Sequence, residues 1–325
     1  MRQLATVLLV LTVALASMSP VSAVILPPPA HQRGTSYAVL QMNLCLSGSA
    51  DCYARTAYPA VVDEAAEQIL DDDPGAATLN EACSADAADL ARRTGYQLRF
   101  AAILFEGAPL RCVEPGHRGV FGLGILTRDT IRTSDDQAFA DRAGPEERRW
   151  ICATTAREIT VCSAHLSTRE SAEARRANDA ECVELRGVLA RYDEDGTTVF
   201  GGDVNRRKPC APNTMWARQD TRATQVPGIQ HVYGSTSLGK PSARVATATY
   251  TDHDFFLTAG TFTPNATSKT AEPSGPQVRS SGMTSSTGMS MGRRTLPGAE
   301  MSRGGSVLPR GPIQRFEELA ALRNA

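Results

Sequence analysis

Metal-type cysteine pairs, tryptophans and long apolar stretches are scarce in this sequence. No two cysteines are spaced as Cys-x-x-Cys, which argues against the common structural zinc sites. Only two tryptophans are present, and after the first few dozen residues no apolar run approaches the roughly 20 residues that span a bilayer. A multi-spanning membrane protein is therefore excluded. What remains is an ordinary globular composition, since 42% of the 325 residues are hydrophobic and 21% are charged.

The N-terminus has the features of a secretory signal peptide. Residues 1–23 contain a single charge near the start, then the apolar run Leu8–Ala16 and a cleavage pattern that ends at Ala23. The alternatives are a buried first element or a membrane anchor, although the run is short for a span. We expect cleavage after Ala23 and a secreted, extracellular protein in which residues 24–35 form an N-terminal arm.

The cysteines agree with export. An even number of cysteines in an exported chain indicates disulfides, although eight leave many pairings open. The eight are Cys45, Cys52, Cys83, Cys112, Cys152, Cys162, Cys182 and Cys210. Local spacing indicates two pairs. Cys45 and Cys52 would close a small loop after a strand, and Cys152 and Cys162 would face each other across a hairpin.

Composition and charge divide the rest of the chain into a body and a tail. Residues 264–325 are rich in Ser, Thr, Gly, Pro and Met and have almost no aliphatic pattern. Such a segment cannot bury enough surface to offset its ordering entropy, so we expect a disordered tail. Residues 24–263 hold 25 basic and 31 acidic residues, a net charge of −6, whereas the tail holds 8 and 4, a net charge of +4. We expect one folded domain over residues 36–263.

The pattern within this domain predicts an α/β architecture. Short apolar runs alternate with segments of helical periodicity, and neighbouring strands in the middle are joined by hairpins, which indicates layered, mixed sheets. The predicted strands are 36–43, 76–81, 97–104, 123–127, 150–155, 158–165 and 198–203. The predicted helices are 57–70, 85–94 and 171–192.

Chemically versatile side chains follow five apolar segments at the point where each one ends. They are Asn43, Glu81, His165, Asp203 with Asn205 two residues later, and the group Asp252-His253-Asp254. In layered α/β folds, ligands bind at strand ends and the loops that follow. Carboxylates are the hard ligands that Mg²⁺, Mn²⁺ or Ca²⁺ require, histidines exchange protons near neutral pH, and amides bind phosphate or water without repelling charge. The set fits the hydrolysis of phosphate esters.

These motifs resemble the endonuclease/exonuclease/phosphatase superfamily, whose fold is that of DNase I. The similarity covers about residues 36 to 260 in the family's order, and Gly-Asp-x-Asn together with a terminal Asp-His is its most specific part. The matching segments are 41–43, 80–82, 122–128, 163–166, 201–205 and 251–254. The resemblance implies a secreted, bacterial-type member with a four-layer α/β sandwich, in which two packed, mixed β-sheets are flanked by helices.

The resemblance also implies a metal site. Glu81 would be the main ligand of a divalent ion, with Asn43 beside it. Asp252 would bind the metal or support the arrangement around it. The ion would be Mg²⁺, with Mn²⁺ or Ca²⁺ as alternatives.

Four further residues receive catalytic roles from the resemblance. Asp203 would orient or deprotonate the attacking water, and Asn205 would hold the scissile phosphate. His165 and His253 would flank that phosphate, where they would stabilise the developing charge or protonate the leaving oxygen.

Three positions depart from the family's pattern. Leu123 stands where the family often has an Asn, and Cys45 stands where the DNA-repair branch has a carboxylate. Gln230 stands where an Asp normally orients the catalytic histidine. An amide holds an imidazole by a hydrogen bond but does not stabilise imidazolium as a carboxylate does. This departure predicts either lower activity or another acid in that role.

Two arginines are additional candidates for binding the substrate's phosphate. Arg118 precedes the segment 122–128, and Arg206 directly follows Asn205. For both, the alternative is a solvated position in a loop or turn.

Together these observations predict a secreted, monomeric, metal-dependent phosphodiesterase without an obligate protein partner. Nucleic acid is the first expected substrate, although a net charge of −6 gives the body little non-specific attraction for DNA. The alternatives are a phospholipid such as sphingomyelin, which would need exposed apolar loops around a residue such as Trp216, and a small or inositol phosphate. An alternative of another class is a catalytically weakened binding scaffold, with Gln230 as the first sign of decay.

Overall fold

Two six-stranded β-sheets form the centre of the computed structural model, which describes residues 36–239 and 241–261. The α-helices are α1 (Ala60–Asp72), α2 (Ser84–Thr94) and α3 (Ala172–Asp195), and short 3-10 helices cover Asp51–Arg55 and Thr236–Leu238. The strands are β1 (Ser36–Asn43), β2 (Ala76–Cys83), β3 (Gln97–Ala102), β4 (Leu104–Phe105), β5 (Ala108–Pro109), β6 (Phe121–Thr127), β7 (Ile131–Ala138), β8 (Arg149–Thr155), β9 (Ile159–His165), β10 (Thr197–Asp203), β11 (Met215–Gln219), β12 (Gln230–Ser235), β13 (Ser242–Ala246) and β14 (Phe255–Thr261). The expected signal peptide, N-terminal arm and tail lie outside the described residues.

Both sheets are mixed. The first has the order β13-β14-β1-β2-β6-β3 and the second the order β11-β12-β10-β9-β8-β7, while β4 and β5 form a separate hairpin. The pairs β1–β2 and β9–β10 are parallel, and the other neighbours in the two sheets are antiparallel. Helices α1 and α2 pack on the first sheet and α3 packs on the second. The expected four-layer α/β sandwich is confirmed.

The two-residue period of the strands divides the core into two clusters. In β8, Ile151 and Ala153 point into the cluster between the sheets, whereas Trp150 and Cys152 join the cluster beneath α3. This alternation follows from the pleat, which turns successive side chains to opposite faces. Both faces of the second sheet are therefore covered, which explains why its central strands are almost wholly apolar.

Five strands were not expected from the sequence: β7, β11, β12, β13 and β14. Two of them show the reason most clearly. In β7 six consecutive residues are exposed, and β13 begins with three exposed residues. Both are edge strands of their sheets. Hydrogen bonding to a neighbouring strand holds them in place, and no buried apolar face is needed to signal them.

Four disulfides join Cys45–Cys52, Cys83–Cys112, Cys152–Cys162 and Cys182–Cys210. Both pairs expected from local spacing are confirmed. Cys152 and Cys162 lie directly opposite each other in the register of β8 and β9. Within the described ranges, no helix is both long enough and apolar enough to cross a membrane.

Candidate active site

The carboxyl ends of four strands meet at one edge of the sandwich. β1 and β2 end beside each other in the first sheet and carry Asn43 and Glu81. β9 and β10 end in register in the second sheet and carry His165 and Asp203. His253 precedes β14, which runs antiparallel to β1 and therefore starts at the same edge. The structure thus brings five of the expected site residues together.

Small residues allow the two sheets to approach each other behind this edge. A Cβ atom on Gly201 would overlap the Thr78 hydroxyl of the opposite sheet. Next to it, Asn80 ties the sheets together: its Oδ1 accepts the Asp203 backbone N–H at 2.6 Å, and its Nδ2 donates to the Ala164 carbonyl at 3.3 Å. This bridge fixes the end of β10, and with it the Asp203 side chain.

Asn43 links the two central carboxylates. Its Nδ2 donates to Glu81 Oε1 at 2.9 Å and to Asp203 Oδ2 at 3.1 Å, while its Oδ1 accepts the Cys45 backbone N–H at 3.2 Å. The side chain is fully buried. The expected role as a metal ligand needs the amide oxygen, but here the nitrogen faces the carboxylates. Asn43 therefore positions Glu81 and Asp203 relative to each other.

Glu81 is held in an unusual backbone conformation. Its φ is +52°, in the left-handed region, and the pairing of β2 with β6 shifts register between Leu79 and Ala82. A bulge of this kind re-aims a side chain, and strain in a non-glycine residue is found where the surroundings over-determine the conformation. Burial, and secondarily the charge of Asp203, raises the pKa of Glu81 to about 6, against the opposing effects of Asn43 and His253.

Asp203 lies at the centre of the site. Its Oδ1 accepts the Asn205 backbone N–H at 2.9 Å, and its Oδ2 lies 3.5 Å from His253 Nε2. Burial raises the pKa of Asp203, although the charge of His253 opposes the shift. Asn205 has a left-handed φ of +51°, and its Nδ2 donates to the Leu166 carbonyl at 2.9 Å. Its amide is thereby placed beside His165, at 3.2 Å from the ring.

His165 is held as a neutral ring by an arginine. Arg148 Nη1 lies 2.9 Å from His165 Nδ1. Because a guanidinium has no acceptor, Nδ1 must accept and Nε2 must carry the proton. That Nε2 lies 3.8 Å from Glu81 Oε1. Burial, then the charges of Arg148 and His253, hold the pKa of His165 well below its usual range. His165 is thus a neutral hydrogen-bond donor toward the centre of the site.

His253 has the opposite charge state. Its Nδ1 lies 2.8 Å from Asp252 Oδ1, and Asp252 Oδ2 accepts from Arg55 Nη2 at 2.9 Å. Burial opposes the charge of the ring, but the bond to Asp252 and the charges of Asp203 and Glu81 raise the pKa of His253 to about 9. The Asp252 carboxylate is therefore fully engaged. Of its two expected roles, it has the supporting one and does not act as a metal ligand.

The position of Gln230 differs from its expected role. Gln230 pairs with Asp203 across β12 and β10, and its Nε2 donates to the Asp254 carbonyl at 2.6 Å. The same Nε2 lies 3.4 Å from Asp220 Oδ2. Gln230 thus belongs to a buried polar network beneath the site, and the carboxylate bonded to His253 is Asp252. Another acid does serve, as one of the two expectations held.

The two candidate substrate-binding arginines are both engaged within the protein. Arg118 is only 4% exposed; it pairs with Asp86 at 2.6 Å and stacks over the Tyr58 ring at 4.5 Å. Arg206 donates to Asp179 on α3 at 2.7 Å. These contacts tie loops to helices, so the structure gives Arg118 and Arg206 structural roles and does not present them to a phosphate.

A disulfide forms one wall of the site. Cys52 Sγ lies 3.6 Å from Glu81 Oε2, and the sulfurs of Cys45 and Cys52 lie with an Asp252 oxygen within 4.8 Å of one another. Both sulfurs are bonded to each other, so they are not metal ligands. The bridge closes the loop that leads into the 3-10 helix Asp51–Arg55, which carries Arg55 to Asp252.

Two residues of this arrangement escaped the sequence analysis. Arg148 sits in the charged run Glu146–Arg149, and Arg55 ends a short 3-10 helix. Neither follows an apolar strand or forms part of a recognisable motif. Only the packing of distant segments places them, so no local signal identifies either one.

The comparison with solved structures identifies the fold. A truncated TDP2 from Caenorhabditis elegans aligns with a TM-score of 0.50 and 13% identity over 70% of this chain and 97% of that one. The human Nocturnin catalytic domain gives 0.50 and 15% over 70% and 94%. An endonuclease/exonuclease/phosphatase family protein from Bacteroides thetaiotaomicron gives 0.51 and 12% over 71% and 100%. No protein-family model and no curated protein matches the sequence.

The chain therefore has the fold of the endonuclease/exonuclease/phosphatase superfamily, as its motifs led us to expect. At these low identities the likeness concerns the fold. What the site does has to be argued from its own residues.

Proposed function

We propose that the protein is a divalent-metal-dependent phosphodiesterase. One observation carries the proposal: two buried carboxylates, Glu81 and Asp203, are joined by one amide and flanked by a neutral histidine and a cationic one. Pairs of titratable groups whose surroundings push their pKa values apart are typical of acid–base sites. The four disulfides support export to an oxidising compartment, where we expect a monomer.

The donor set fits a hard divalent cation. Glu81 and Asp203 are both buried, and burial raises both pKa values, so a cation between them would relieve the cost of two neighbouring anions. Carboxylate oxygens are the ligands that Mg²⁺ prefers. Glu81 would make the main contact and Asp203 the nearest further one. When bound, Mg²⁺, or Mn²⁺ or Ca²⁺ in its place, would neutralise charge on the phosphoryl oxygens.

The protein's own groups divide the chemical work. Asp203, an acceptor with a raised pKa, orients the attacking water and takes its proton. His253, held as imidazolium, stabilises the developing charge or protonates the leaving oxygen. His165 donates through Nε2 to a phosphoryl oxygen, and Asn205 beside it holds the scissile phosphate.

Nucleic acid is the favoured substrate. Tyr250 is 39% exposed and stands two residues before Asp252, where an aromatic ring is available for stacking on a base. Neither tryptophan offers a membrane contact: Trp150 is buried, and Trp216 is half-buried against Gly234. A phospholipid or a small phosphate ester is the alternative. The weakened-scaffold alternative loses its main support, because Asp252 supplies the carboxylate that Gln230 lacks.

The test is a substrate panel with metal control. Purified protein, stripped with EDTA and then given Mg²⁺, is assayed on plasmid DNA, RNA, sphingomyelin and bis(p-nitrophenyl) phosphate. We expect Mg²⁺-dependent hydrolysis of nucleic acid and of the generic diester. Glu81→Gln should lower the rate about 10- to 100-fold and recover partly at high Mg²⁺, because its defect is in metal affinity, whereas Glu67→Gln on the exposed face of α1 should not. Hydrolysis that EDTA leaves intact would refute the proposal.

A further inference from the structure

A basic cleft lies between the edge strands of the two sheets. It has a volume of about 450 Å³ and lies between β11 and β13. Three arginines line it, Arg218, Arg222 and Arg244, together with Gln219, Thr221, Ala243, Val245, Thr247 and Phe256. No carboxylate is among the lining residues, although the body of the chain carries more acidic than basic residues. This local excess of positive charge needs an explanation.

The cleft opens at the same edge of the sandwich as the candidate active site. Gln219 ends β11 and pairs with His231, the neighbour of the Gln230 that pairs with Asp203. Neighbouring strands lie about 4.8 Å apart, so two strand spacings separate the end of β11 from Asp203, on the order of 10 Å. On the other wall, Ala246 ends β13 opposite Phe255, two residues after His253.

The loop between the cleft and the site is anchored. Asp254, next to His253, accepts both the backbone N–H and the hydroxyl of Thr224, at 2.6 and 2.9 Å. Thr224 follows Arg222 by two residues. The arginine is therefore carried by a loop whose position is fixed from within the active site.

The arginines are placed to bind an anion. Arg244 is paired with Asp72, which holds it in the wall of the cleft, and Arg218 Nη1 donates to the Ala217 carbonyl at 3.0 Å. Arg222 is exposed and has no ion pair among the residues that the structure describes. A guanidinium presents donors in a planar fork that matches two phosphate oxygens.

We propose that this cleft binds a backbone phosphate of the nucleic-acid strand being cleaved, on one side of the scissile phosphate; the inference rests on the proposed phosphodiesterase function. Phosphates in one strand of a duplex recur about every 3.4 Å along the axis, so a distance on the order of 10 Å corresponds to about three nucleotides. A lipid headgroup fits less well, because Phe256 in the cleft is buried and none of the exposed large hydrophobic side chains of the described region lines it.

The test compares two double variants of equal charge change. Arg218→Gln with Arg222→Gln removes two arginines of the cleft. Arg99→Gln with Arg191→Gln is the control: Arg99, like Arg218, is half-buried and donates to the preceding carbonyl, and Arg191, like Arg222, is exposed. Arg99 lies on β3, at the opposite edge of the first sheet from β13. Binding of a fluorescent single-stranded oligonucleotide is measured in EDTA over a series of salt concentrations.

We expect the cleft variant to bind the oligonucleotide at least about tenfold more weakly. Its plot of log affinity against log salt should be shallower by about 1.4, since each lost phosphate contact to a single strand contributes about 0.7. The KM for the oligonucleotide should rise while hydrolysis of bis(p-nitrophenyl) phosphate stays at the parent rate. The control variant should behave like the parent in all three measurements.

The outcomes separate this inference from the proposed function. If the parent cleaves nucleic acid but both double variants bind alike, the cleft is not a strand site and the phosphodiesterase stands. If the parent binds no oligonucleotide, or if the cleft variant loses only binding to anionic vesicles, the inference is overturned. If no substrate is hydrolysed, the proposed function fails first. Should the double variant unfold, the single Arg222→Gln on its exposed loop carries the same comparison.

Discussion

His253 Nδ1 lies 2.8 Å from Oδ1 of Asp252, the residue directly before it in the chain. This contact gives the ring a carboxylate partner on one side while Asp203 stands 3.5 Å from Nε2 on the other. The pKa of His253 is raised to about 9, whereas that of His165, beside Arg148, is lowered. Two histidines in one site are thus held in opposite charge states near neutral pH.

Asp252→Asn should lower the pKa of His253 from about 9 toward the ordinary 6.5, because the charged bond to Nδ1 is lost. The alkaline limb of the pH–rate profile should move down with it. Arg55→Ala is the matched variant of opposite sign, because removing that cation makes Asp252 more basic and should leave the limb at or above its parent position. NMR titration of the imidazole Cε1–H checks both. Identical titrations in all three proteins would contradict the assignment.

The same bond makes stability depend on pH. Because the pKa of His253 is raised on folding, its charged ring stabilises the native state fully below about pH 6.5, and this contribution is lost as the pH rises through about 9. In Asp252→Asn the difference in free energy of unfolding between pH 6.5 and pH 9 should shrink. Urea unfolding at the two pH values measures it.

Arg148→Met should release His165 from its neutral state. Without the cation at Nδ1, the pKa of the ring should rise, and below neutral pH both nitrogens become donors. We expect a roughly tenfold loss of activity that grows as the pH falls, since the orientation of a catalytic group depends on its neighbours. Arg149→Met, which removes the adjacent arginine, is the control. A pH-independent loss in Arg148→Met would contradict this role.

Removal of the Cys45–Cys52 bridge should lower activity more than stability. Replacing both cysteines with Ser frees the segment that carries Arg55 and the backbone N–H that orients Asn43. The Cys152–Cys162 bridge closes a loop of similar length, so both losses should cost about 2.5 kcal/mol of unfolding free energy. Only the first pair of substitutions should lower the rate at temperatures where both proteins are folded. Equal activities would refute a role for the bridge in the site.

Gln230→Glu should destabilise the protein, even though it restores a carboxylate. Gln230 Nε2 donates to the Asp254 carbonyl and faces Asp220, whose pKa burial already raises to about 6. Replacing that donor by an oxygen leaves a buried carbonyl unpaired, a cost of about 1–3 kcal/mol. The loss should increase above about pH 4.3, where the unfolded glutamate ionises. Gln225→Glu, which changes a similar amide-to-carbonyl contact, should cost less. Thermal unfolding across pH decides.

Much of the site was predictable because each key residue ends an apolar segment. Asn43, Glu81, His165 and Asp203 lie at the ends of parallel strands, which necessarily meet at the same edge of a sheet. The four-layer fold followed from the alternation of strands and helices together with the family motifs. The edge strands β7 and β13 were missed, because their exposed faces carry no apolar period.

The direction of each contact was not predictable. Local spacing places Asp252 beside His253 but does not show which carboxylate the ring accepts as its partner, nor that Arg55 occupies the other oxygen. The same holds for Arg148 on His165, since the two residues lie 17 positions apart on different strands. These choices depend on side-chain packing among distant segments, which a single sequence does not encode as a pattern.

The central claim is that Asp203 and its neighbours act directly on a phosphodiester. The most direct measurement is the Mg²⁺-dependent rate of Asp203→Asn on the best substrate, next to the parent and to Asp71→Asn, an exposed position on α1. Loss of a general base predicts a fall of at least about 100-fold for Asp203→Asn at every Mg²⁺ concentration, and no change for Asp71→Asn. A folded Asp203→Asn that hydrolyses the substrate at the parent rate would contradict the account.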